Sequence, residues 1–249
     1  MLNIIAIPAL RDNYIWAIHD GNYVAIVDPG EAAPVLDFIN QTGLKFTAIL
    51  CTHRHNDHIG GIAELRGVYN VPVYGRSHPH NPHITSDLRE GDVLELEAPH
   101  IRFDIIETPG HLEDHIVFIA ADAVFCGDIM FGAGCGNNKE GTLADLYQSL
   151  MRLAALPDST QVYCAHEYTE YCLAFAKLCE PKNRTIQQRI VDAHKLRAAN
   201  LPTVPSTIAL EKATNPFIRC TSPELIHTLQ AHGLTATDEL AVFTALQHF

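Results

Sequence analysis

Long apolar runs are missing from this chain: none of its 249 residues falls in a stretch of 18 apolar side chains, so no membrane-spanning helix is expected. A leader of basic, apolar and then small residues is also missing. Met1-Leu2-Asn3 passes straight into Ile4-Ile5-Ala6-Ile7, and neither secretion nor membrane insertion is expected. There is no CxxC pair. The seven cysteines (Cys51, Cys126, Cys135, Cys164, Cys172, Cys179, Cys220) are odd in number and mostly sit in apolar runs. Buried free thiols in a reducing, cytoplasmic compartment account for that pattern. Positive charge is scarce, with 17 Lys and Arg against 29 Asp and Glu and a formal net charge of -12. No local basic patch offsets it, which argues against a nucleic-acid partner. An anionic small substrate would need a few placed cations or a metal ion. Tryptophan occurs once, and Trp16 is expected in the core.

The composition is otherwise that of a globular protein, 47% apolar and 18% charged, long enough for one large domain or one and a half. Ile4-Ile7, Tyr14-Ile18 and Tyr23-Val27 read as a meander of short strands, ended by Asp28-Pro29-Gly30. Val35, Leu36 and Ile39 repeat at helical spacing, and Phe46-Cys51 is a buried-strand run. A helix over Ile62-Tyr69 follows, then strands at Val71-Tyr74, Val93-Glu97, Ile101-Glu107, His115-Ala120, Ala123-Cys126 and Gln161-Cys164, with a helix through Leu143, Leu146, Leu150 and Leu153. After about residue 170 helical signals take over: Thr185-Ala199, a helix opening at Ser222-Pro223-Glu224, and a terminal helix from Thr237. Interleaved strands and helices imply an α+β fold of sheets with helices outside. The expected domains are 1–170, catalytic, and 171–249, helical.

The residues that carry chemistry lie between elements. Thr52-His53-Arg54-His55-Asn56-Asp57-His58 joins a strand to a helix and packs three imidazoles and a carboxylate into six residues. His53 and His55 are two apart, so in an extended loop both point to one side. Four ligands from so tight a segment suit two adjacent metal ions better than one. Further donors recur at strand ends: His111 after Thr-Pro-Gly, Asp128 after Gly127, and His166 before Glu167. A nitrogen and oxygen donor set without thiolate fits Zn(II), Fe(II) or Mn(II). His78, His80 and His83 alternate with Pro79, Asn81 and Pro82, and without a carboxylate they read as an exposed loop.

Thr-His-x-His-x-Asp-His, Thr-Pro-Gly-His, Gly-Asp-x-x-Phe (Gly127 to Phe131) and the late histidine, in this order, resemble the metallo-β-lactamase superfamily. Asn13-Tyr14-Ile15-Trp16, Val27-Asp28-Pro29-Gly30, Gly134-Cys135-Gly136, Ala165-His166-Glu167-Tyr168-Thr169 and Asn215-Pro216-Phe217-Ile218-Arg219 resemble its glyoxalase II (hydroxyacylglutathione hydrolase) family. The resemblance implies a four-layer αββα sandwich followed by a small helical domain that covers the substrate. It implies His53, His55 and His111 on one metal, Asp57, His58 and His166 on the other, and Asp128 bridging; His115 is left as a non-ligand. It implies hydrolysis of S-(2-hydroxyacyl)glutathione, S-D-lactoylglutathione giving D-lactate and glutathione in the second step of methylglyoxal detoxification. The nucleophile would be a hydroxide shared by the two metals, with no catalytic side chain. A thiolate with a free pKa near ~8.5 leaves readily. A monomeric, cytoplasmic enzyme with two zinc ions, or iron or manganese in their place, is expected. A persulfide dioxygenase with one Fe(II), or a thioesterase of altered substrate choice, is the alternative.

The pattern departs in three places. After Gly-Cys-Gly the family commonly has a basic and an aromatic residue that hold glutathione; here stand Asn137, Asn138 and Lys139. Asn137, Lys139 and Tyr168 are the candidate substrate contacts. The C-terminal Arg and Lys of the family are missing before Gln247-His248-Phe249, so weaker glutathione-thioester binding with intact hydrolysis is expected. Leu112-Glu113-Asp114 replaces a commoner Thr-x-Gly, and both carboxylates are expected to be solvated, the alternative being that they tune metal affinity. Cys135 is expected to be a small packing residue, and Arg219 a structural cap.

Overall fold

The computed structural model describes residues 2–234 and 238–249. Packing divides the chain into two compact units, Met1–Thr108 with Asp114–Gly127, and Pro109–Glu113 with Asp128–Phe249. That line is not drawn at residue 170, because the tail helices pack among elements that begin at Asp128.

In the first unit, β1 (Asn3–Ala9), β2 (Asn13–His19) and β3 (Tyr23–Val27) form the expected antiparallel meander. Helix α1 (Ala33–Thr42) returns the chain so that β4 (Lys45–Leu50) runs parallel to β3. After α2 (Asn56–Ile59) and α3 (Ile62–Val68), β5 (Val73–Gly75) and β6 (Ser86–Asp87) complete a six-stranded mixed sheet in sequence order. Ile15, Ala17, Ile26 and Ile49 on one face pack with Val35 and Ile39 of α1 and Ile62 and Leu65 of α3. Strand β2 is buried on its other face as well, Trp16 included, and so shows no alternation. Strands β7 (Val93–Glu97), β8 (His100–Glu107), β9 (Ile116–Ile119) and β10 (Ala123–Gly127) pair antiparallel in order. Leu94 and Leu96 face inward while Val93, Glu95 and Glu97 face solvent. Phe103, Phe118 and Phe125 meet edge-on beneath them.

The second unit opens with a tight hairpin, β11 (Met130–Phe131) and β12 (Gly134–Cys135). Helix α4 (Leu143–Ala154) starts at a capping box between Thr142 and Asp145. Strand β13 (Gln161–Cys164) and helices α5 (Thr169–Cys179) and α6 (Arg184–Ala198) follow. Strand β14 (Ser206–Thr207) pairs with β13; a two-residue strand is too short to show a period, so the sequence pattern missed it. Helix α7 (Ile208–Thr214), a 3-10 turn (Pro216–Ile218), α8 (Pro223–Ala231) and α9 (Glu239–His248) finish the unit. The expected start of the last helix at Thr237 lies outside the described residues; Asp238 caps α9 by accepting from the Ala241 amide. No helix among the described residues is long and apolar enough to cross a membrane.

Arg219 is structural. Its Nε and Nη2 donate to both oxygens of buried Glu180 at 2.7 and 2.9 Å, and its Nη1 donates to the Lys212 carbonyl. Ser222, at the expected cap position of α8, turns its hydroxyl to Glu180 instead of the helix. Burial pushes the Glu180 carboxyl up, but the bonds from Arg219 and Ser222 outweigh it and hold the group below its ordinary range. A lowered folded-state pKa stabilises the fold above the unfolded value, about 4.3 for Glu, and that contribution is lost as pH falls through the folded value. Arg219→Ala is expected to cost about 2 kcal/mol, less than a fully buried pair because Arg219 is partly exposed. Acid unfolding followed by circular dichroism should then begin at higher pH, with KM unchanged.

Candidate metal centre

In the first unit, β4 ends at Leu50 and delivers the histidine loop into α2. Asp28 organises that loop from below. It adopts φ +50 at the end of β3, and its Oδ1 accepts from the Thr52 amide at 2.8 Å. Its Oδ2 accepts from the Thr52 hydroxyl at 2.7 Å and from His58 Nδ1 at 3.0 Å. The Thr52 hydroxyl, having given its proton to Asp28, can only accept from His53 Nδ1, 3.1 Å away. Both rings are thereby held with Nδ1 protonated and the Nε2 lone pair turned outward, the tautomer a metal needs. His53 Nε2 faces His55 Nδ1 at 3.0 Å, and His58 Nε2 faces Asp57 Oδ2 at 3.5 Å. Asn13 donates to the same Asp57 oxygen at 3.1 Å. Gly30 is required where it stands, since a Cβ there would lie 1.9 Å from the Asp57 carbonyl oxygen. Fully buried His115 stacks on His53 and bonds through Nδ1 to Thr108, a supporting contact rather than a ligand position.

The second unit carries the other three donors, all buried. Asp128 lies between two imidazoles: its Oδ2 is 3.5 Å from His111 Nε2 and its Oδ1 3.4 Å from His166 Nε2. His111 Nδ1 is 2.9 Å from the Asn137 carbonyl, to which it can only donate, so in the neutral ring Nε2 carries a lone pair toward the carboxylate. Two acceptors facing each other in a buried site repel unless a cation lies between them. The donor chemistry therefore fits divalent metal ions. His166 is sandwiched: Tyr168 stacks on it at 4.7 Å and Phe131 meets both rings edge-on. Gly136 is another enforced position, where a Cβ would be 2.0 Å from the Asp128 carbonyl oxygen.

The thiols stand apart. All seven remain thiols rather than disulfides, and burial pushes Cys51 and Cys135 well up and Cys164, Cys172, Cys179 and Cys220 to about 12. No candidate ligand grouping among the described residues includes His78, His80 or His83.

Asn137 and Lys139 have exposed side chains, but their main chain serves His111: besides the Asn137 carbonyl, the Lys139 amide donates to the carbonyls of Gly110 and His111 at 3.3 and 3.2 Å. Asn138 adds a 2.7 Å bond to the Gly110 carbonyl. Asn137 also borders a cavity of about 470 Å³ lined by Cys135, Tyr171, Phe175, Phe217 and Gln247. Cys135 packs there as expected, accepting from Gln247. Asp114 corrects the expectation for the 112–114 segment: Glu113 is exposed, but Asp114 is buried and ion-paired with Arg54. Long-range support of this kind, like that from the Asp28 carboxylate, leaves no periodic sequence signal.

A model of the metallo-beta-lactamase superfamily matches residues 9–166, and one described as hydroxyacylglutathione hydrolase C-terminus matches residues 167–249. A hydroxyacylglutathione hydrolase of Cupriavidus taiwanensis is 46% identical over 99% of this chain and 97% of its own length. The chain belongs to the hydroxyacylglutathione hydrolase family. A second member, from Nitrosomonas europaea, is 42% identical over 99% of this chain and 95% of its own. Among solved structures, ETHE1 from Myxococcus xanthus superposes with a TM-score of 0.66 at 26% identity, covering 99% of this chain and 98% of that one. The α+β architecture is the metallo-β-lactamase fold followed by the helical C-terminal region of this family. The two family models meet at residues 166 and 167.

Proposed function

We propose that the chain hydrolyses S-(2-hydroxyacyl)glutathione thioesters, S-D-lactoylglutathione first among them, with two divalent metal ions held by seven side chains. His53, His55, His111 and Asp128 would hold one and Asp57, His58 and His166 the other, Asp128 serving both. The observation that carries this reading is Asp128, which offers one carboxylate oxygen to each of two buried imidazoles. Bound metal supplies an activated water at neutral pH and stabilises negative charge as it develops on the thioester carbonyl oxygen. The chain's own work is orientation. Asp28 fixes the tautomer of His58 directly and that of His53 through Thr52, and the Asn137 carbonyl does the same for His111. No serine or cysteine nucleophile is needed, consistent with thiols held protonated by burial. Zinc is the proposed metal, and iron or manganese suits the same donors.

The cavity beside Asn137 would take part of the glutathione, with Tyr168 and the Asn137 and Lys139 side chains as contacts. Among the described residues no lysine or arginine lines the cavity itself, so Lys139 would be the one cation reaching the glutathione from beside Asn137, which supports weak holding of its carboxylates. Lys139→Ala is expected to raise KM for S-D-lactoylglutathione by roughly tenfold with kcat unchanged, the low end of the about 1.5–3 kcal/mol of a charge-assisted bond because the Lys139 side chain is exposed. Steady-state kinetics checks this, and an unchanged KM would remove Lys139 from the pocket. Monomeric state and a cytoplasmic location belong to the same proposal.

The deciding experiment is metal analysis of the purified protein with turnover of S-D-lactoylglutathione and a panel of other thioesters, alongside His55→Ala. Two metal ions per chain, thioester hydrolysis, and loss of both in the variant are expected. A full metal complement without thioesterase activity, or a single iron with oxygen consumption on glutathione persulfide, would overturn the proposal.

A further inference from the structure

Arg54 sits between His53 and His55 in an extended segment, so its side chain leaves on the side opposite to theirs. There it forms an ion pair with Asp114, both side chains only about a tenth exposed (11% and 9%). Asp114 is the residue at which the loop bearing His111 returns to the first unit. Two further contacts join the histidine loop to the segment that follows Asp114. The Ile116 amide donates to the Thr52 carbonyl at 2.9 Å, and the His115 ring stacks on His53 at 4.8 Å. Arg54 and Asp114 are thus the charged member of a seam between the histidine loop and the segment that follows Asp114.

Stability alone does not explain the pair. Asp114 Oδ2 is buried with no hydrogen-bond partner among the described residues. A buried carboxylate with one oxygen unfilled gives back little of its desolvation cost, and such pairs are often replaceable by apolar residues without loss. What the pair does supply is direction: a guanidinium anchored to a carboxylate fixes the backbone between two imidazoles that must point the other way.

We propose that Arg54 and Asp114 are positioning residues for metal binding, holding the backbone that aims His53 and His55 against the segment that follows Asp114. This rests on the metal reading above. Metal affinity of the full chain, measured by zinc competition against a chromophoric chelator, tests it in the parent, Asp114→Asn, Arg54→Met and the double variant. Thermal midpoints of the metal-free proteins are measured alongside.

Each single variant is expected to bind zinc about 10–100-fold more weakly, the usual effect of losing a group that orients a ligand. Each single variant strands one charge of the pair and should lower the metal-free midpoint, whereas the double variant should shift it little; in zinc binding the double variant should be no worse than the weaker single. Affinities within twofold of the parent, losses that multiply in the double variant, or a lowered metal-free midpoint with unchanged affinity would each overturn the proposal. If Asp114→Asn does not fold, Arg54→Lys carries the test, since it keeps the charge but not the planar fork. Weaker zinc binding at unchanged metal-free stability then supports the pair, and unchanged binding overturns it. A parent chain that binds no zinc would instead sink the metal reading itself, so the two failures are distinguishable.

Discussion

Asp128→Ala is expected to lower kcat/KM for thioester hydrolysis by at least about 10³-fold and to reduce the metal content below two ions per chain. The carboxylate lies between His111 and His166, one oxygen toward each, and no neighbouring residue can replace two acceptors at once. Losing a metal forfeits several kcal/mol of transition-state charge stabilisation, and each ~1.4 kcal/mol is a factor of ten in rate. Asp128→Asn makes the test sharper. The amide keeps the shape but brings a neutral oxygen and an NH2 donor to places where lone pairs must converge, so it should behave like alanine. Metal analysis and steady-state kinetics on the same preparations check this; two retained ions with activity within tenfold of the parent would refute the bridging role.

The second large effect concerns stability. Glu211→Ala is expected to destabilise the protein by about 3–5 kcal/mol, the cost of stranding one partner of a buried ion pair. Glu211 is fully buried and accepts from Arg189 Nη2 at 2.6 Å, from the Ser206 hydroxyl, from the Ala133 amide at 2.8 Å and from Asn215 Nδ2 at 3.1 Å. Arg189 is itself only 6% exposed. At roughly 2–4 °C per kcal/mol for a chain of this size, the thermal midpoint should fall by about 6–20 °C. Removing both charges in an Arg189→Met, Glu211→Leu double variant should cost less than Glu211→Ala alone. Calorimetry settles the order, and a double variant less stable than the single would contradict this account. Because Glu211 and Asn215 hold Ala133 and Gly134 in the hairpin that follows Asp128, Glu211→Ala should also reduce activity.

The sheet meander and the strand that feeds the histidine loop were legible as short apolar runs bounded by turn residues, and the amphipathic helices because their residues repeat at a period of 3.6. The two-residue strand β14 and the packing of the tail with elements from Asp128 onward were not, since neither leaves a local period. The loop at 112–114 misled for a related reason. Charge next to a ligand suggests solvent, and only the partner Arg54, 60 residues away, shows Asp114 to be buried.

By itself the sequence determined the kind of chemistry. Histidine and aspartate at strand ends, free thiols confined to apolar runs and a net charge of -12 restrict the site to nitrogen and oxygen donors on a small-molecule enzyme. The tertiary structure decided how those donors are aimed. Asp28, Thr52, Asn137, Arg54 and Asp114 act through hydrogen bonds and an ion pair, mostly between residues far apart in the chain. The tautomer and direction of an imidazole depend on which group meets its other nitrogen, and that is a property of the folded chain.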